Sequence, residues 1–529
     1  MTAPIAPPND TACDVLVIGG GLVGLAAGAF LAQQGLDVTV VERHPTTSLH
    51  PKARLVTVRS MELYAGLGVA DEIRAAGEPN GGFAVATDLS AEHDQWVPPA
   101  GDESTATQLS PFTPYSCDQQ RIEPILRARA EELGASVLFG TQASEIREDE
   151  HEVSAQLDRD GAMSTIRARY LVAADGARSP IRRQLGIDLD GEPVPGTAVS
   201  ALFTANLSPA LNGRHVDALM ALNAEAFLFA RGNERERQWQ LGTYERPEWS
   251  TGTDLTTHLA PIIRTATGLP ELDPQIDSVR TWSTGAYVAH RLSAGRIFLV
   301  GDAAHQMPPY GGLGGNTGAQ DAHNLAWKLA SVCRGEADSR LLDSYEVERV
   351  PLVRLIVEQA LLRSRKTPGQ AAPAEQIDST TLSLGFAYPP ISGPGAPAVE
   401  SPHSAVEDPH NPSGRPGTRA PHIALSGTAS STLRLLDPVR FTFIADRRSR
   451  TAAALRQQQP ATLAVHTVDT TSVAAEHQQV WDQIYSGSAC DGVLIRPDHV
   501  IAWRAPKHLP DPASAVNGAL AASLGHGPQ

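Results

Sequence analysis

Asp14-Val15-Leu16-Val17-Ile18-Gly19-Gly20-Gly21-Leu22-Val23-Gly24 decides the fold of this chain. An apolar strand runs straight into a glycine cluster, and the Ala- and Leu-rich residues 22–34 predict a helix behind it. Residues 38–41 predict a second strand, ending at Glu42-Arg43. A βαβ unit of this length carries a dinucleotide fingerprint. Gly19 permits the tight turn, Gly21 lets a phosphate approach the backbone, and Gly24 lets the helix pack on the strand. The helix N-terminus then faces a pyrophosphate. Glu42 is placed to accept hydrogen bonds from an adenosine ribose, which disfavours a 2′-phosphate and leaves FAD or NAD.

Two further signatures decide between these. Asp175-Gly176 ends a predicted strand at 170–174 and is followed by Arg178, Ser179 and Arg182. Gly301-Asp302 ends a buried strand at 296–300. Either pair alone is an ordinary turn. Together with the first signature they point to FAD, because Asp302 can bind a ribityl hydroxyl and NAD has no ribityl chain. The glycine-rich stretch at 311–315, between this strand and a helix predicted over 317–333, suits a flat ring that needs backbone N–H groups at its edge. Those dipoles would stabilise negative charge on a reduced flavin.

The remaining composition narrows the class. The chain has 529 residues and a formal charge of −16, which argues against a nucleic-acid partner. No long apolar run predicts a membrane span, and residues 1–12 read as a flexible tail rather than a signal peptide. Cys13, Cys117, Cys333 and Cys490 are widely spaced without a CxxC, which predicts neither disulfides nor a metal site and fits a cytoplasmic setting. Helices are predicted over 58–66, 121–133 and 339–364, with a hairpin turn at 158–161.

The expected fold class is α/β. A Rossmann-like FAD-binding domain spans 13–190 and 286–370, with an inserted β-sheet substrate domain at 191–285. A linker with loops follows at 371–420, and a small α/β domain at 421–529.

These signatures, with Pro51-Lys52-Ala53-Arg54, Arg59-Ser60-Met61-Glu62, Asp118-Gln119, Ile122 to Leu126, and the block from Gly301 to Leu329, make the chain resemble a known family. It is similar to the FAD-dependent aromatic hydroxylases of the para-hydroxybenzoate hydroxylase type, and closest to the branch acting on polyketides, such as aklavinone and angucycline hydroxylases. The resemblance covers nearly the whole chain. It implies tightly bound FAD, transient NADPH or NADH, and O2 as co-substrate. The implied reaction is hydroxylation of a polycyclic phenol through a flavin C4a-hydroperoxide.

It also implies residue roles. Gln119 would contact the ribityl region, Asp302 would bind the ribityl chain, and backbone groups of Gly315 and Asn316 would hold the pyrimidine end. Pro309 would line the substrate side of the ring. Gly312 and Gly314 belong to the same cradle, and Arg43, Lys52 and Arg54 to the flavin surroundings; Lys52 stands where many relatives have Arg. The C-terminal region resembles the thioredoxin-like domain of many members and, lacking CxxC, would be redox-silent.

No catalytic base is assigned by these residues. Pro309, Tyr310, His305 and Tyr244 are the substrate-side candidates, with His290 and Tyr287 as further pocket candidates and a structural hydrogen bond as the alternative role of His305. Baeyer–Villiger oxygenation and antibiotic inactivation share the same scaffold, and a redox-silent FAD-binding polyketide carrier is the alternative from another class. The expected partner is a small aromatic molecule, and the protein is expected to be a monomer or homodimer.

Overall fold

The structure is a computed structural model that describes residues 11–526, apart from 49, 51, 81–82, 93–107, 232–237, 248, 250–253, 366–372, 390–404, 428–429 and 459–460. β1 (Thr11–Ile18), α1 (Leu22–Gln33) and β2 (Val38–Glu42) form the opening βαβ unit. β1 takes in Thr11 and Ala12, which the sequence assigns to the tail, because both pair with β7, introduced below. α1 is buried on every side, which explains a helix sequence with almost no polar face. α2 (Val58–Gly66) begins at Thr57, whose side chain accepts from the Ser60 N–H. β3 (Phe83–Ala86) departs for a second sheet. α3 (Gln119–Glu132), β4 (Ser136–Phe139), β5 (Gln142–Glu148), β6 (Val153–Arg159) and β7 (Ala162–Ala173) follow. Asp160 (φ 54°) and Gly161 (φ 83°) make the left-handed turn between β6 and β7.

The second sheet is built from β8 (Leu189–Thr204), β9 (Ala218–Ala221), β10 (Ala226–Ala230), β11 (Gln238–Tyr244) and β12 (Gln275–Ala289), with α4 (Leu255–Thr267) before β12. The chain then returns through β13 (Ile297–Leu299) and β14 (His305–Gln306) to α5 (Leu313–Cys333) and α6 (Asp343–Ser364). In the first sheet β13, β7, β1, β2 and β4 lie side by side in that order, all parallel. This is a Rossmann-like sheet, with the glycine turn at the carboxyl end of β1. The second sheet has the order β14-β12-β8-β11-β10-β9-β3. It is wider than the sequence range 191–285. β8 and β12 pair out to Leu189 and Ala289, and β3 and β14 are strands too short to carry a pattern of their own. α4 covers one face, where Val199, Ala201, Phe203, Leu228, Trp239 and Leu241 pack on Leu259 and Ile263. The other face looks toward the first domain.

Residues 371–420 are less of a linker than their Pro, Gly and Ala content predicts. α7 (Ser379–Leu384) and the segment after it bury Leu382, Phe386, Tyr388 and Ala405 against Leu352, Leu355 and Ile356 of α6. The C-terminal unit contains β15 (Phe441–Asp446), α8 (Arg450–Gln458), β16 (Leu463–Val468), β17 (Cys490–Ile495), β18 (Ile501–Pro506) and α9 (Pro512–Ser523). Its mixed sheet, β16-β15-β17-β18, has the thioredoxin-like arrangement.

This unit docks through a buried ion cluster. Arg496 pairs with Glu348 and Asp498, Lys328 Nζ lies 2.7 Å from Glu348, and Arg59 donates to the Asp498 carbonyl (2.8 Å). Arg419 pairs with Glu62. Removing one member of such a cluster costs about 3–5 kcal/mol, because the partner is left charged and buried. No helix among the described residues is long and apolar enough to cross a membrane.

Candidate active site

The glycine turn is a cradle without room for side chains. A Cβ on Gly24 would strike the Gly19 carbonyl, and one on Gly19 would strike the Ala174 carbonyl. Gly19 has φ +112°, a conformation that glycine adopts freely. A Cβ on Gly28 would lie 2.6 Å from Val40 Cγ2, so α1 is pressed onto β2 as well. Gly21 differs: its nearest neighbour would be Glu123 Oε1 at 3.9 Å. Space is therefore left in front of the α1 N-terminus, where N–H groups are free. Glu42 accepts from Gly20 N–H (2.7 Å) and His44 N–H (2.9 Å), which fixes its carboxylate at the end of β2. Gln119 bridges, accepting from Ala53 N–H (3.3 Å) and donating to Glu123 (2.7 Å).

The two Asp-Gly type turns lie beside each other. Asp175 accepts from Ile181 N–H (3.3 Å), while its Oδ1 is buried without a partner. Burial raises its carboxyl above the ordinary range, against the opposing pull of Ser179, Ile181 and Arg182. Gly176 takes φ +84°. Arg182 donates to the Ala303 carbonyl (2.9 Å) and so ties this turn to the next. Asp302 makes no hydrogen bond among the described residues. It is open to solvent but walled by protein, and that loss of hydration raises its carboxyl, with His305 and Lys52 pulling it down. A glycine cradle, an orphaned buried oxygen on Asp175 and a free carboxylate on Asp302 fit an extended FAD.

The 301–316 block departs from the expected loop. α5 starts at Leu313, so Gly314, Gly315 and Asn316 occupy its first turn, after left-handed Gly311 (φ +87°) and Gly312 (φ +62°). Glycines are poor helix formers, which hid this start. The free N–H groups of the α5 N-terminus take the place of those expected from a loop. The Asn316 side chain accepts from Thr57 N–H (3.0 Å) and donates to the Leu55 (2.8 Å) and Gly312 (2.7 Å) carbonyls, fastening the approach to α2 onto α5.

His305 is not on the substrate side. It is 0% exposed, and its Nε2 lies 2.6 Å from Asp321 Oδ2. Asp321 also accepts from Gly301 N–H (3.1 Å) and Arg349 (2.7 Å). Burial alone would raise the Asp321 carboxyl, but Arg349 and His305 more than offset it and hold it low. His305 therefore supports the Gly301 turn from behind. His290 pairs with half-exposed Asp190 (2.8 Å), and Tyr287 lies on β12 beside the site of Gly285.

Tyr244 and Tyr310 meet at the open face of the second sheet. Phe227 and Tyr310 are edge-to-face with centroids 5.8 Å apart, and Phe227 stacks on Phe229 at 6.2 Å. Tyr310 has its phenol raised by burial and by the adjacent Tyr244, so it stays protonated. Exposed Pro309 precedes Tyr310 at the mouth.

The three cationic candidates separate. Arg43 is exposed and makes no side-chain bond among the described residues. Lys52 is exposed, and its charge acts on both Asp302 and His50. Arg54 is instead committed to Asp118 (3.0 Å) and Glu78. Glu78, His215 and Asp217 bring ligand-type atoms within 4.8 Å, but the Arg54 guanidinium already supplies the cation there, 4.0 Å from Asp217.

His50, Ser200, Gln240, Arg231 and Arg280 were missed by the sequence reading. Ser200, Gln240, Arg231 and Arg280 share the open face through strand register and His50 reaches it from the segment after β2, neither of which a local motif announces. His50 bonds Ser278 (2.9 Å) and Ser200 (3.1 Å), and Gln240 joins Ser200 (2.7 Å) to Arg231 (3.0 Å).

Comparison with known proteins identifies the family. Residues 12–360 match the FAD binding domain family, and residues 413–527 match the aromatic-ring hydroxylase C-terminal family. The chain is 36% identical to 4-methyl-5-nitrocatechol 5-monooxygenase of Burkholderia sp, over 99% of this chain and 100% of the relative. It is also 36% identical to tetracenomycin A2 monooxygenase-dioxygenase of Streptomyces glaucescens, over 94% of each. A solved ternary complex of aklavinone-11 hydroxylase with FAD and aklavinone matches with a TM-score of 0.85 at 30% identity, over 98% of this chain and 100% of that one.

Proposed function

The chain belongs to the FAD-dependent aromatic-ring hydroxylases, and from that premise we propose that it places one oxygen atom on a multi-ring phenol held on the open face of the second sheet. The carrying observation is the aromatic wall of Phe227, Phe229 and Tyr310, set against the turn that leads from Asp302 to the α5 N-terminus. Bound FAD supplies the redox chemistry, taking a hydride from NAD(P)H and activating O2.

The chain's own residues hold and position. The α1 N-terminus beyond Gly21 takes the pyrophosphate, and Glu42 takes the adenosine ribose. Asp302 and Gln119 take the ribityl chain. Free N–H groups at Gly314 and Gly315 face the pyrimidine edge, where the α5 dipole favours negative charge. Gly19, Gly24, Gly176 and Gly312 keep the backbone close, and Asp175 braces the turn beside Asp302. The aromatic wall orients the substrate and excludes water from its reacting edge. Protonated Tyr310 donates a hydrogen bond to a substrate oxygen.

The test is NAD(P)H oxidation by the yellow holoprotein with and without a panel of hydroxyanthraquinones and single-ring catechols. Stimulation by the anthraquinones, with a product one oxygen heavier and a new phenol located by NMR, is expected. Stimulation by catechols alone would favour the single-ring reading that the nitrocatechol relative suggests. A ring-expanded lactone would replace hydroxylation by Baeyer–Villiger chemistry. Bound FAD with no stimulation by either class would favour a silent carrier.

A further inference from the structure

The ion cluster that docks the C-terminal unit is out of balance. It sets Arg59, Arg419, Arg496 and Lys328 against Glu62, Glu348 and Asp498, so one positive charge is left over. A buried charge without a counterion is costly, and a surplus of this sign favours an anion nearby. A cavity of about 100 Å³ lies beside Arg419, where three parts of the chain meet. Leu109 comes from the segment before α3, Leu384 from α7, and Pro421 and Val480 from the C-terminal unit. That volume is of the order that holds a small organic molecule, since an apolar cavity of about 150 Å³ takes benzene.

The cavity has two unused hydrogen-bond donors. Arg419 is 6% exposed; it commits Nε and Nη2 to Glu62 and the Leu109 carbonyl, and its Nη1 has no partner among the described residues. His422 is also 6% exposed, and its one hydrogen bond among the described residues joins Nδ1 to Ser431 Oγ (2.7 Å). Ser431 is fully buried, and its Oγ already accepts from Leu433 N–H (3.1 Å). Its hydroxyl proton therefore goes to Nδ1, which leaves the ring proton on Nε2 as a free donor. Burial, then His477 and Arg419, hold His422 at about 4, so it is neutral at pH 7 and the guanidinium carries the charge.

The other polar groups that line the cavity are engaged or exposed. His477 donates from Nε2 to the Gln108 carbonyl (2.8 Å) and accepts at Nδ1 from Ala424 N–H (3.3 Å). Glu407 accepts from Ser413 N–H (3.2 Å) and Oγ (2.6 Å). Glu476 and His410 are exposed. Two carboxylates among the lining residues disfavour a dianion, while the apolar walls suit a short hydrocarbon tail.

We propose that this cavity binds a short-chain monocarboxylic acid, with its carboxylate on Arg419 Nη1 and His422 Nε2 and its tail against Leu384 and Val480, and that the ligand fastens the C-terminal unit to the rest of the chain. The site shares no residue with the flavin cradle and stands independently of the reaction proposed above.

The experiment is calorimetric titration of the holoenzyme with sodium butyrate, butyramide and sodium phosphate, at ionic strength matched with chloride. Butyrate is expected to saturate one site, to raise the denaturation midpoint and to leave the flavin absorbance unchanged. Butyramide and phosphate should bind at least about 10-fold more weakly. His422→Phe should weaken butyrate about 10-fold, and Val480→Phe, which fills the cavity, should abolish its binding, with FAD content unchanged in both. A crystal structure of the unmodified protein with butyrate reads the position whether or not either variant folds, and should show the carboxylate on Arg419 and His422. The proposal is overturned by no saturable heat with butyrate, by butyramide binding as well as butyrate, or by butyrate found elsewhere. Binding that shifts the flavin absorbance and survives V480F places the acid at the flavin site and overturns it equally.

Discussion

The proposed FAD cradle and the proposed substrate cleft are adjacent, yet they are specified in different ways. The cradle is made of absences: a Cβ at Gly19 or Gly24 meets backbone, so only glycine serves. The proposed cleft is made of presences: Phe227, Tyr244 and Tyr310 reach it from separate elements, two of them by sheet register. A backbone constraint restricts residue type locally and therefore leaves a motif. A sheet face restricts only alternation, and each position accepts many side chains.

The sharpest way to break this comparison is at the cradle. Gly24→Val should cost about 3 kcal/mol or more through overpacking against the Gly19 carbonyl, and should abolish FAD retention. Gly21→Ala is the informative partner. Its Cβ meets nothing closer than Glu123 Oε1 at 3.9 Å, so the apoprotein should lose only about 1 kcal/mol, the cost of a poorer helix cap. FAD affinity should still fall by about 10-fold or more, because the methyl enters the space left for the phosphate. Flavin absorbance and chemical denaturation of each apoprotein separate the two effects. Equal loss of stability in both variants would remove the distinction between packing and ligand glycines.

A second test reads the cleft through stability. His50 is held down to about 4 by burial, then by Arg280, Arg231 and Lys52, against an ordinary value of 6.5. The unfolded chain therefore binds a proton at pH 5 that the folded chain does not. The stabilisation is complete above pH 6.5 and is lost as pH falls toward 4, at up to about 1.4 kcal/mol per pH unit for this residue. His422, held to about 4 by its own burial first, adds in the same direction. His50→Gln should flatten the stability–pH curve between pH 6.5 and 4 relative to wild type. An unchanged curve would mean that His50 is hydrated and that the cleft floor is wetter than its hydrogen bonds imply.

Much of the cradle was legible in sequence, and the misreadings have physical causes. The βαβ unit, the Asp160-Gly161 turn and the 58–66 helix announce themselves by periodicity and turn chemistry. The start of α5 did not, because Gly314 and Gly315 argue against helix while the space beside Leu22 demands a small residue at 315. His305 looked available because it follows a site motif, but Asp321, 16 residues away, claims it in the folded chain. Arg54 was read with the flavin residues, yet Asp118 and Glu78 hold it. Residues 371–420 read as linker because Pro and Gly dominate them, although Phe386 and Tyr388 are core. Arg280 and His50 needed the register of β8 and β12, which composition cannot supply.

Two smaller substitutions sharpen the contrast. Phe227→Leu removes the ring that meets Tyr310 edge-to-face, and should weaken substrate binding by about 10-fold while leaving FAD content unchanged. Gly161→Ala is the control from outside both sites. Gly161 has φ +83° with open space where its Cβ would lie, so the cost is conformational alone, about 1 kcal/mol. Neither FAD affinity nor substrate affinity should move, because the β6–β7 turn touches neither the glycine cradle nor the second sheet. A denaturation midpoint that falls with both affinities intact would separate a turn glycine, needed for the chain to reverse, from a cradle glycine, needed for something else to approach. If G161A also loosens FAD, strain at the hairpin is reaching Asp175 along β7, and the cradle is a less local structure than its motif suggests.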